Sequence, residues 1–197
     1  MKRFIYVVLA AFVLALVPAS YACAQWKYQC EYSEGLASVK DANGKWGYID
    51  ETGKVVIPCQ WRHADFFYEG LARVRDTNGK YGFIDKAGKV VSPCQWKYAL
   101  TFSEGLVSVK DDNEKWGFID TTGKVIIPCQ WEFAGDFSEG LAVVCDANDK
   151  YGFIDTTGKV VIPCQWEGAM SFSEGLAKVH DADYMQHIID KTGKIVE

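Results

Sequence analysis

The chain has 197 residues, 49% of them hydrophobic and 14% aromatic, and a formal net charge of −5. That much apolar and aromatic material excludes a disordered chain. The acidic balance argues against nucleic acid and anionic membrane surfaces as partners, since both depend on clustered Lys and Arg.

The N-terminus reads Met1-Lys2-Arg3, followed by an uncharged apolar stretch from Phe4 to Val17 and then Pro18. A basic start and an apolar run of this length fit a secretory signal peptide. A spanning helix needs about 20 apolar residues, so the run is short for an anchor. Ala22-Cys23-Ala24 supplies a small-x-small cleavage pattern. Residues 1–24 are therefore expected to be a signal peptide and residues 25–197 the mature domain, exported to the periplasm, the cell surface or the medium, with no membrane span after cleavage. Two alternatives are a lipoprotein anchored at Cys23, which Ser20-Tyr21-Ala22 suits poorly, and an uncleaved anchor. Cleavage before Gln25 removes Lys2 and Arg3 and no acidic residue, moving the net charge from −5 to −7.

From there on the sequence repeats. Glu-Gly-Leu recurs at Glu34, Glu69, Glu104, Glu139 and Glu174, every 35 residues. Trp26, Trp61, Trp96, Trp131 and Trp166 keep the same step, as do Asp50, Asp85, Asp120, Asp155 and Asp190. A fixed period of this size means a solenoid, a propeller or an array. Inside the unit the apolar period is two. Leu36 to Asp41 alternates apolar and polar as a half-buried strand does. Asn43-Gly44 predicts a type I′ hairpin turn, and Trp46 to Asp50 the return strand. Asp50-Glu51-Thr52-Gly53 predicts a type I turn. Val55-Val56-Ile57 begins a third strand, which Pro58 confines to a sheet edge. The segment from Trp61 to Phe67 reads as either a short fourth strand or a packed loop. No stretch carries helical spacing with caps.

Lys45-Trp46-Gly47-Tyr48-Ile49-Asp50 and Lys115-Trp116-Gly117-Phe118-Ile119-Asp120, with Tyr81-Gly82 and Tyr151-Gly152 as variants, resemble the WG-repeat family from Trp26 to the C-terminus. The fifth unit departs from the pattern, with Gln186-His187-Ile188 in place of aromatic-Gly-aromatic. The resemblance implies a bacterial repeat scaffold that mediates interactions and brings no catalytic residues. The expected fold is all-β: five three-strand hairpin repeats in an open superhelical stack, with a five-bladed β-propeller as the alternative. A unit of 35 residues is short for a four-stranded blade, for which about 40–45 is usual, and the degenerate fifth unit reads as the cap an open stack needs.

Cys59, Cys94, Cys129 and Cys164 sit in four successive Pro-Cys-Gln-Trp segments. They are candidates for bridges such as Cys59–Cys94 and Cys129–Cys164, or are small packed side chains. No Cys-x-x-Cys spacing points to a metal or redox centre. The Asp-Thr-Thr-Gly turns at Asp120 and Asp155 lack the Asp-Thr-Gly spacing of an aspartic protease and sit in a turn that appears five times. Turns such as Asp41-Ala42-Asn43-Gly44 lack the ligands of a calcium loop. A catalytic site requires one constellation of distinct groups, and here every candidate group is repeated. The aromatic files carry the functional expectation. If exposed, Trp61, Trp96, Trp131 and Trp166 would form a platform for a protein, peptide or glycan; otherwise they are core. The expected activity is a non-catalytic binding scaffold without cofactor or metal. A purely structural envelope protein is the alternative, and an enzyme with an unrecognised site the minor one.

Overall fold

The computed structural model describes residues 26–196, so the expected signal peptide and the Cys23 anchor lie outside the described residues. Period-two apolar patterning and punctuating turns produce strands throughout, and no helix occurs among the described residues. Unit 1 holds β1 (Tyr28–Ser33), β2 (Leu36–Lys40), β3 (Trp46–Asp50) and β4 (Val55–Trp61). Unit 2 holds β5 (His63–Ala64), β6 (Leu71–Arg75), β7 (Tyr81–Asp85) and β8 (Val90–Trp96). Unit 3 holds β9 (Tyr98–Ala99), β10 (Leu106–Lys110), β11 (Trp116–Asp120) and β12 (Val125–Trp131). Unit 4 holds β13 (Phe133–Ser138), β14 (Leu141–Cys145), β15 (Tyr151–Asp155) and β16 (Val160–Trp166). Unit 5 holds β17 (Gly168–Ala169), β18 (Leu176–His180) and β19 (Gln186–Asp190).

Each unit is one antiparallel meander. Units 1 to 4 are four-stranded sheets and unit 5 is three-stranded. The ambiguous segment after each Trp therefore supplies a first strand, six residues long in β1 and β13 and two residues long elsewhere. Pro58 lies within β4, which is an edge strand, so its missing N–H faces no partner.

The turns differ in one respect from the sequence reading. At Asn43-Gly44 only Gly44 has positive φ, and the Gly44 amide donates to the Asp41 carbonyl at 3.1 Å. This is a type I turn closed by a left-handed residue, the three-residue hairpin alternative to type I′. The paired positive φ of a type I′ turn occurs instead at Glu-Gly: Glu34 has φ 51° and Gly35 φ 85°, and the four other copies match. The Asp-x-x-Gly turn forms as expected. Asp50 Oδ1 accepts from the Thr52 hydroxyl at 2.6 Å and from the amides of Thr52 and Lys54.

No unit has a core of its own. Four apolar clusters lie between units, each built from the far face of one sheet and the near face of the next, and a smaller fifth covers the near face of unit 1. Leu36, Tyr48 and Ile57 of unit 1 pack on Phe67, Val74 and Ile84 of unit 2. The same contact recurs at the three following seams. One aromatic pair crosses each seam: Tyr48–Phe67, Phe83–Phe102, Phe118–Phe137 and Phe153–Phe172, with centroids 4.8–5.0 Å apart. Burial holds the Tyr48 hydroxyl far above its ordinary pKa, and it donates to the Asp65 carbonyl at 2.6 Å.

The array is open. Leu141 of unit 4 is 7% exposed because unit 5 covers it, whereas its counterpart Leu176 is 41% exposed. At the other end Trp26 packs on Ala37, Val39 and Ile49, the near face of unit 1.

The glycine after each ring of the third strand has a specific cause. A Cβ on Gly47, Gly117 or Gly152 would lie 2.5 Å from the carbonyl oxygen of Ile57, Ile127 or Ile162 on the neighbouring fourth strand. That contact is far closer than real Cβ atoms make, and backbone cannot yield as a side chain can. In unit 5 the fourth strand is reduced to the Ile189–Ile195 bridge and the bond from the Val196 amide to the Ile188 carbonyl. His187 occupies the glycine position there.

Candidate functional site: an aromatic rim

The file Trp61, Trp96, Trp131 and Trp166 does not form a platform. Each Trp ends a fourth strand and turns into the seam with the next unit; Trp96, Trp131 and Trp166 are buried and Trp61 half-buried. The indole N–H groups confirm an enclosed setting. Trp96 Nε1 donates to Ser92 Oγ at 3.0 Å, while Trp61, Trp131 and Trp166 Nε1 are buried without a partner. Ser92 stands where the other units have Ile57, Ile127 and Ile162. These tryptophans are wall, and their packing is what sets the next feature.

Two residues after each Trp, at the start of the first strand, stand Tyr28, His63, Tyr98 and Phe133, all exposed. Strand register aligns them with the third-strand rings: Tyr28 pairs with Lys40, Lys40 with Trp46, and Trp46 with Trp61. The two files interleave along the hairpin end of the array. Tyr28–Trp46 and Trp46–His63 have centroids 6.5 and 5.7 Å apart. Tyr81–Tyr98, Tyr98–Trp116, Trp116–Phe133 and Phe133–Tyr151 continue at 5.5, 5.8, 6.2 and 6.3 Å. Most of these are edge-to-face contacts, the arrangement that ring quadrupoles favour. Cations sit over the rings: Lys40 over Trp46, Arg75 over Tyr81 and Lys110 over Trp116, 5.1–5.9 Å from the centroids. The ladder stops at unit 5, where Gly168 and Gln186 replace both rings. The recurring Trp-x-aromatic spacing was the signal available in the sequence for this exposed file.

The opposite, Glu-Gly end is occupied in holding units together. Ser33, Ser103 and Ser138 hydroxyls donate to the Phe67, Phe137 and Phe172 carbonyls of the next unit at 2.6–2.8 Å. The Glu34 carboxylate accepts from the Gly70 amide, Glu104 from Glu139 and Gly140, and Glu139 from Gly175. Lys86 pairs with Glu34 at 2.9 Å and Lys191 with Glu139 at 3.0 Å; these lysines, chiefly by hydrogen bonding, hold both carboxyls below the usual range. A cleft of about 640 Å³ opens beside this end, rimmed by Tyr32, Phe66 and Tyr68. Its floor carries Arg73, whose Nε donates to Asp65 at 2.6 Å and whose fork also donates to the Ala99 carbonyl.

The proposed bridges among Cys59, Cys94, Cys129 and Cys164 do not form; all six described cysteines are free. Each of the four packs on a different sheet face: Cys59 on the near face of unit 1, and Cys94, Cys129 and Cys164 at the first three seams. A whole sheet separates neighbours in the series. Packed sheets lie about 10 Å apart, and a bridge needs Cα atoms within about 7 Å. Burial pushes the Cys94, Cys129 and Cys164 thiols up to about 11. Among the described residues no three His, Cys, Asp or Glu side chains are grouped to hold a metal ion, and no helix is long and apolar enough to cross a membrane.

A family model described as WG containing repeat matches residues 46–81, 81–115, 116–151 and 151–179. The last match stops short of Gln186-His187-Ile188. A comparison with curated proteins found no match. Among solved structures the chain is similar to the computationally designed Ika8 protein, with a TM-score of 0.53 and 13% identity over 85% of this chain and 59% of that one. It is similar also to Kluyveromyces lactis Hsv2, with a TM-score of 0.50 and 10% identity over 85% of this chain and 60% of that one. The chain thus spans about three fifths of the length of each, and at these identities the likeness is one of fold.

Proposed function

Because the chain belongs to the WG containing repeat family, we propose that it is a non-catalytic scaffold that binds a protein, peptide or glycan along its aromatic rim. The observation that carries this reading is the ladder of rings along the hairpin end, whose first-strand members Tyr28, His63, Tyr98 and Phe133 are exposed in four successive units. Exposed aromatics in a row present apolar area at low entropic cost, the currency of recognition surfaces. Support for the absence of catalysis comes from how the repeated polar groups are used. The Asp carboxylates close their own turns, and the Ser hydroxyls and three of the Glu carboxylates bond across seams. The basic, then apolar N-terminus supports export to a bacterial envelope or beyond.

The test is a binding screen of residues 25–197 against glycan and peptide arrays, repeated with Tyr98→Ala. Saturable binding weakened by about tenfold or more, with unchanged thermal stability, supports the reading; binding indifferent to every rim substitution refutes it. A purely structural role is the rival reading, favoured by the density of bonds between units, and it predicts no saturable ligand. Fractionation of cells expressing the full chain, with N-terminal sequencing of the product, tests export and cleavage before Gln25.

A further inference from the structure

The rim is not electrically uniform. In units 1 and 2 it carries Lys27, Lys40, Lys45, Arg62, Arg75 and Lys80 against the hairpin carboxylates Asp41 and Asp76. Those two carboxylates already accept the Lys45 and Lys80 amides of their own turns. In unit 3 the charges balance, and in unit 4 Lys150 alone faces Glu132, Asp146 and Asp149. Unit 5 offers only Glu167, Asp181 and Asp183 at the corresponding positions, beside His180. Ion pairing follows the same gradient. Lys80 pairs with Asp112, Lys97 and Lys110 with Glu114, Lys115 with Glu132, and Lys150 with Glu167. Among the described residues Lys27, Lys40, Lys45, Arg62 and Arg75 have no such partner. Beside His63, Asp65 is matched by Arg73.

From this we infer that the rim of units 1 and 2 is a site for a short anionic oligosaccharide of the uronate class; the inference rests on the scaffold reading above and specifies its ligand. The chemistry required is a ring face with a carboxylate on each sugar. Tyr28, 63% exposed, and the exposed His63 ring, one on each side of Trp46, offer stacking surfaces, and cations without a carboxylate partner flank them in each unit. Arg62 and Lys27 are exposed on the strand entry next to these rings. Arginine suits a carboxylate by its fork of donors. A nucleic acid fits less well. Its affinity grows with the number of phosphates neutralised along the strand, and a strand long enough to gain from that would run onto the acidic rim of units 4 and 5. A mainly charge-driven polyanion site would have no use for the rings.

The experiment is isothermal titration of residues 25–197 with hexagalacturonate at low salt. The comparison ligands are the same oligomer reduced at its carboxyls, polyglutamate and a single-stranded oligonucleotide. Expected is saturable binding of hexagalacturonate, falling with salt, and weakened at least about fivefold by Tyr28→Ala and by Arg62→Gln. Lys159→Gln, at the far end of unit 4, should leave it unchanged. No binding of hexagalacturonate, equal binding of the reduced oligomer or of polyglutamate, or tighter binding of the oligonucleotide would each overturn the proposal. If binding is absent here while an array hit is still lost with Tyr98→Ala, the ligand class fails and the scaffold reading stands.

Discussion

Units 4 and 5 share one sequence pattern and differ in what lies next to them. Unit 4 has a successor: its Leu141 and Val143 are buried, Ser138 donates to the Phe172 carbonyl, and Glu139 is tied to Gly175 and Lys191. Unit 5 has the same residue types at Leu176, Ser173 and Glu174, and among the described residues none of these contacts is made. The difference teaches that a repeat here is not a folding unit. One face of each of units 1 to 4 is buried by the following sheet, so stability resides in seams, as nearest-neighbour models of repeat proteins hold.

The largest contrast should come from emptying a seam. Phe153, fully buried against Phe172, should cost about 3–5 kcal/mol when changed to Ala. Leu176→Ala should stay within about 0.5 kcal/mol, as exposed substitutions do. Urea denaturation of both variants measures the gap, and equal losses would break the comparison. Next comes the glycine beneath the fourth strand. Gly152→Ala should cost about 1–3 kcal/mol through overpacking, since its Cβ would meet the Ile162 carbonyl. His187→Gly, where that strand is reduced to a single bridge among the described residues, should change stability by about 1 kcal/mol or less. Ser92→Ala tests the seam interior: it leaves the Trp96 indole unpaired, as in its sister units, at about 1–2 kcal/mol.

The smallest effect concerns what the two units share. Asp155 and Asp190 are both held below the usual carboxylate range, chiefly by the hydrogen bond from Thr157 or Thr192. Their stabilisation is fully present above the ordinary aspartate pKa and is lost as pH falls through the depressed folded value. Titration by NMR should show the two carboxyls with matching low midpoints. A normal midpoint at Asp190 alone would mean that the turn depends on its seam.

Much of this architecture could be read from the chain. The period fixed the unit, alternation placed Leu36–Lys40 and Trp46–Asp50, and Gln186-His187-Ile188 marked the unit that departs from the pattern. Three things could not be read, each for a physical reason. Alternation separates the two faces of a strand, but in a stack both faces are covered, so it does not reveal which aromatic file reaches solvent. That depends on position along the strand, which puts Tyr28 and Tyr98 at the rim and Trp96 in the wall. The turn at Asn43-Gly44 depends on how many residues close the hairpin, and the bond between the Asp41 amide and the Lys45 carbonyl settles that only in three dimensions. The cysteine series suggested pairing because its members align in sequence. Alignment along a stack places them one sheet apart, which is what prevents it.

The bare glycine under the fourth strand also bears on how such a chain can lengthen. Duplication that inserts a unit between two interior ones creates seams of the existing kind on both sides, and each new glycine lies beneath a full strand. At the position of His187 a full fourth strand in the interior geometry would meet a Cβ where the other units have none. Copy number can therefore change by insertion within the array at little structural cost, provided each inserted unit keeps a glycine at this position.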